Sequence, residues 1–113
     1  MVTFASFATN EALASGRCSA KLKVPHSHYH AKVDTASLMT CKFAQRLAVA
    51  ASVKLARLQD KHVYSRKISI KGYPLYLCDD TQGGDAAGNY YFTCAEKHHA
   101  TRFVNWTYGP YPV

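Results

Sequence analysis

Acidic residues are scarce in this chain. Seven aspartates and glutamates stand against fourteen lysines and arginines, and the only glutamates are Glu11 and Glu96. The net charge of +7 and pI of 9.4 favour an anionic partner: nucleic acid, an acidic protein face or an anionic membrane surface. Long hydrophobic runs are missing, and no stretch reaches the length of a membrane span. No CxxC pair occurs, which disfavours a zinc knuckle or a thioredoxin-type site. No glycine-rich phosphate cradle occurs either, since Gly83-Gly84-Asp85 has the wrong surroundings, and no cofactor is expected. The opening residues Met1-Val2-Thr3-Phe4-Ala5 carry neither a basic n-region nor a long apolar run, so the chain reads as cytosolic or as a mature form with an added Met.

What is present describes a folded globule. Hydrophobic residues make up 48% and charged residues 19%, a balance that disordered tails do not have. The 113 residues fit one domain, 1–113, expected to be monomeric. A chain this short buries only about two-thirds of its unfolded surface, so cross-links help. Four scattered cysteines, Cys18, Cys41, Cys78 and Cys94, suit two disulfides, with three pairings open. Disulfides persist in oxidising compartments, which points to secretion. The sequon Asn105-Trp106-Thr107 points the same way.

Hydrophobic periodicity orders the elements. Cys18 to Val24 and His26 to Val33 alternate as half-buried strands and could pair as a hairpin around Pro25. Thr35 to Gln59 predicts a helix, capped by Asp34 or Thr35, with Ala44, Leu47, Ala51, Leu55 and Leu58 forming an apolar stripe. The run contains no Gly, Pro or acidic residue. Strand-like runs follow at His62 to Ile70, Tyr73 to Cys78, Tyr90 to Cys94 and Arg102 to Tyr108, with a loop predicted over Asp79 to Asn89. The order predicts an α+β fold, one central helix packed on an antiparallel sheet.

Charge is concentrated in the middle of the chain. Thr35 to Leu77 holds eight lysines and arginines and one aspartate, whereas Cys78 to Val113 holds two against four acidic residues. The expected contact surface is Lys42, Arg46, Lys54, Arg57, Lys61, Arg66, Lys67 and Lys71, with Tyr73 available to stack on an unpaired base. Reversing the charge of Lys54 and Arg57 is expected to weaken binding to an anionic partner. His26, His28 and His30, if on one strand, share a face and could converge on a metal; the alternative is an exposed, titratable strand edge. Glu96 with His98 could supply general acid–base chemistry for RNA cleavage, with His99 pointing away; the alternative is a polar turn between two strands.

Gly72-Tyr73-Pro74 after an Ala-rich helix, with Arg46 to Leu77 and then Tyr90 to Tyr108 as later strands, resembles the small fungal guanyl-specific ribonucleases. It looks still more like the ribonuclease-like secreted effectors of cereal powdery mildew fungi. The ribonucleases place a catalytic His directly after this Tyr-Pro, where Leu75 stands here. A Tyr-x-Cys before the helix is missing, because Met39-Thr40 precedes Cys41, and no Glu lies between Gln59 and Ala95. The resemblance therefore implies a ribonuclease scaffold without its standard catalytic set: a secreted virulence protein that binds a host protein, an immune receptor or single-stranded RNA. The alternatives are an active ribonuclease using Glu96 and His98, and a cytosolic basic binding domain with reduced thiols.

Overall fold

The computed structural model describes residues 13–14, 18–59, 65–84 and 88–110, and within them the side chains of 18, 20–55, 67–80 and 88–110. The elements in chain order are β1 (Leu13–Ala14), β2 (Cys18–Lys23), β3 (His30–Ser37), β4 (Met39–Thr40), α1 (Cys41–Gln59), β5 (Ser65–Ile68), β6 (Tyr76–Gly84), β7 (Tyr90–Glu96) and β8 (His99–Gly109). Six strands form one antiparallel sheet in the order β2-β3-β8-β7-β6-β5, and β1 pairs with β4 beside it. The expected α+β architecture, a helix packed on an antiparallel sheet, is the one observed.

Alternation decides which sheet face meets the helix. Ala31, Val33 and Ala36 of β3, Val104 and Trp106 of β8, Phe92 and Cys94 of β7, and Tyr76 and Cys78 of β6 are all buried. They pack against Ala44, Leu47, Ala48, Ala51 and Leu55 of α1, so four members of the expected helix stripe form the core. Each large side chain buried this way contributes about 1.5–3 kcal/mol. The indole N–H of Trp106 donates to the Ser52 hydroxyl at 2.7 Å and ties β8 to the helix. The phenol of Tyr108 meets Ser27 at 2.9 Å. Burial pushes the Tyr76 and Tyr108 phenols above their ordinary pKa.

Several boundaries differ from the sequence expectation, each for a tertiary reason. The helix begins at Cys41, not Thr35. Thr35 to Ser37 are strand because β8 offers partners to them in register, Thr35 to Asn105, Ala36 to Val104 and Ser37 to Phe103. Leu38 then takes φ 57°, which ends the strand, and Thr40 caps the helix by accepting the Phe43 N–H at 3.1 Å. Asp34 is not a cap; its carboxylate accepts the Thr107 hydroxyl at 2.7 Å. Asp79 to Gly84 continue β6 across a register shift, where a loop was expected. Tyr73 sits in a turn closed by its own N–H to the Ile70 carbonyl at 2.9 Å, with Gly72 at φ 88° supplying the left-handed residue that a type II turn requires.

Candidate binding surface

The three lysines and arginines at Lys42, Arg46 and Lys54 stand exposed on α1. No acidic residue lies on that helix to neutralise them. Lys67 of β5 and Lys71 of the following turn are exposed as well. Arg57, Lys61 and Arg66 carry the same expectation, and their side chains lie outside the described residues. Turn and helix meet at Tyr73. Its ring stacks on Phe43 at 4.2 Å between centroids, and the Arg46 guanidinium lies 5.9 Å from its centroid. The sequence placed Arg46 and Tyr73 in the same contact surface, and the fold brings them together.

The histidine expectation fails on geometry. His26 and His28 lie in the turn between β2 and β3, with His26 at φ 61°, and only His30 enters a strand. The three imidazoles therefore share no strand face. Among the described residues no group of three potential metal ligands converges. The hairpin expectation itself holds, since β2 and β3 pair antiparallel.

The Glu96 expectation changes partner. Lys97 and His98 form a two-residue turn, so Glu96 and His98 share no strand face, and Glu96 instead faces His99 across the hairpin. The Glu96 side chain is 2% exposed. One oxygen accepts from Arg102 Nη1 at 3.0 Å, and the other lies 3.9 Å from His99 Nε2. The expected polar turn is what stands there.

Two features were not read from the sequence. Register places Lys21 opposite Lys32 and Lys23 opposite His30, on the sheet face turned away from α1. A cleft of about 300 Å³ also opens beside the start of α1, lined by Leu38, Thr40, Phe43, Tyr73, Tyr76 and Arg102 among others. The sequon Asn105-Trp106-Thr107 lies on the central strand β8. Asn105 Oδ1 accepts the Thr93 hydroxyl at 2.7 Å, and Thr107 is buried against Asp34. These residues serve the sheet, and the sequon carries no weight for secretion.

The cysteines pair as Cys18–Cys41 and Cys78–Cys94. The first ties an edge strand to the helix start; the second joins register partners on β6 and β7. Two disulfides in a small domain fit an oxidising compartment. No helix among the described residues is long and apolar enough to cross a membrane. Comparison with protein-family models, with curated proteins and with solved structures finds no match to the chain.

Proposed function

We propose that this chain is a secreted, effector-like binding protein that holds single-stranded RNA on the basic face of α1 without cleaving it. The observation that carries the reading is the Arg46 guanidinium beside the exposed ring of Tyr73, on a helix that has no acid of its own and that also exposes Lys42 and Lys54. Cations neutralise phosphates, and an exposed aromatic with a guanidinium over it accepts an unpaired base. A helix on an antiparallel sheet is compatible with a ribonuclease-like scaffold. Catalysis is disfavoured because Glu96 is shielded and its carboxylate is already engaged by Arg102, while Leu75 replaces the expected His.

A salt titration of labelled single-stranded RNA tests this, with the RNA examined on a gel afterwards. Three to five phosphate contacts predict a log–log slope of about −2 to −3.5. Arg46→Glu with Lys54→Glu should weaken binding about tenfold or more, with the circular dichroism spectrum unchanged. Unaltered affinity in that folded variant would remove the helix face as the site. Shortened RNA, abolished by Glu96→Gln, would replace the reading with a nuclease. Absence of binding would shift the surface to a protein partner.

A further inference from the structure

Several features of the fold meet in the cleft at the start of α1. Its walls are aromatic: Phe43 stacks on Tyr73 and tilts against Tyr76 at 5.7 Å. Its mouth is formed by two of the largest exposed apolar side chains, Leu38 at 47% and Tyr73 at 48%. Leu38 is held at φ 57°, a conformation unfavourable for a bulky residue, and strain of that kind gathers at ligand clamps. The charged group in the lining is Arg102. Glu96 accepts from its Nη1 at 3.0 Å, while Arg102 Nε is shielded from solvent and has no acceptor among the described residues. The Arg102 side chain is 41% exposed, so the open edge of its guanidinium can meet an anion in the cleft. Lys42 and Lys71 are exposed close by in sequence, and the first turn of α1 has no acidic residue to offset its dipole.

We propose that this cleft binds a small planar aromatic ring that bears an anionic group, the ring against Phe43 and Tyr73 and the anion at Arg102. A volume of about 300 Å³ is at the lower end for ligand sites, which suits one ring and one acid group. The same chemistry is offered by aromatic carboxylic acids and by nucleoside monophosphates. The inference does not depend on RNA binding, because the cations along α1 can hold a polymer whether or not the cleft is filled.

Calorimetric titration of the full chain tests it with indole-3-acetate, 4-hydroxybenzoate and uridine monophosphate. Benzyl alcohol and inorganic phosphate serve as probes of the ring alone and the anion alone. The Arg102 Nε–H resonance is followed in parallel. One-to-one binding with a Kd below about 1 mM is expected for at least one ring acid, with that resonance shifted and the separate probes about tenfold weaker or more. Binding by the carboxylates alone or by the nucleotide alone supports the site and names its source. Tyr73→Ala removes an exposed wall that the core does not need, and should weaken binding about tenfold. Arg102→Lys should do the same by losing the planar donor edge. Lys54→Glu lies about 18 Å along the helix from Lys42 and should leave these affinities unchanged while lowering RNA affinity, which separates the two readings. No saturable binding up to about 10 mM, or binding that Tyr73→Ala leaves intact, overturns the proposal.

Discussion

Asp79 on β6 shows how a single side chain can set a pH dependence. Partial burial, together with the neighbouring Asp80 charge, raises its carboxyl above the ordinary value. A raised carboxyl favours the protonated folded chain, so its contribution to stability is full below the unfolded pKa and is lost as pH rises through the folded one. At neutral pH the residue is therefore a net cost. Asp79→Asn cannot ionise and should raise the urea midpoint at pH 7. The gain should disappear below about pH 3.9, where the parent carboxyl is protonated in both states. An equal gain at pH 7 and pH 3 would show that charge is not the cause. Little of this was legible beforehand: Asp79-Asp80 reads as the start of a loop, and pairing with Thr93 and Phe92 of β7, and of Asp79 with Ser65 of β5, makes it strand. Residues with strong periodic context were easier. Leu47, Ala51 and Leu55 are buried as their spacing implies, whereas the partner of Trp106, a serine 54 residues away, leaves no local signal.

Elements were legible where local preference and tertiary pairing agree. The body of α1 satisfies both, being Ala-rich and amphipathic. Its start does not, because Thr35 to Ser37 suit either state and the long strand β8 decides between them. The β2–β3 hairpin was visible as two alternating runs, but its register was not, and register is what sets Lys21 against Lys32. Two like charges directly opposite on one sheet face repel. Lys21→Glu turns that pair attractive and should stabilise the domain by about 0.2–1 kcal/mol, read as a shift of the urea midpoint that high salt reduces. A midpoint that falls instead would mean that Lys21 is held by an interaction other than its cross-strand neighbour. The candidate cleft was hidden for the same reason. Phe43, Tyr73, Tyr76 and Arg102 come from a helix, a turn and two strands, and no spacing in the sequence joins them.

At the scale of the whole molecule, stability rests on one apolar layer between α1 and the sheet, reinforced by two covalent links. The Cys18–Cys41 bond closes 23 residues and the Cys78–Cys94 bond closes 16. Loops of that size restrict the unfolded chain enough for about 3 kcal/mol each. Together they match a large part of the 5–15 kcal/mol that a domain has in total. The two links are not equivalent in placement. Cys78 and Cys94 join strands that hydrogen bonds already hold in register, so the sheet keeps its order without that bond. Cys18 lies on the edge strand β2, and its bond is what anchors that strand to the helix start. Replacing Cys18 and Cys41 by Ala should lower the calorimetric Tm by on the order of 10 °C and speed amide exchange in β2 ahead of β6 and β7. The unsubstituted protein, denatured without reductant in the presence of a thiol-blocking reagent, should gain no label in its intact mass. Four labels would mean that the native chain carries reduced thiols, and the cytosolic alternative would then replace secretion.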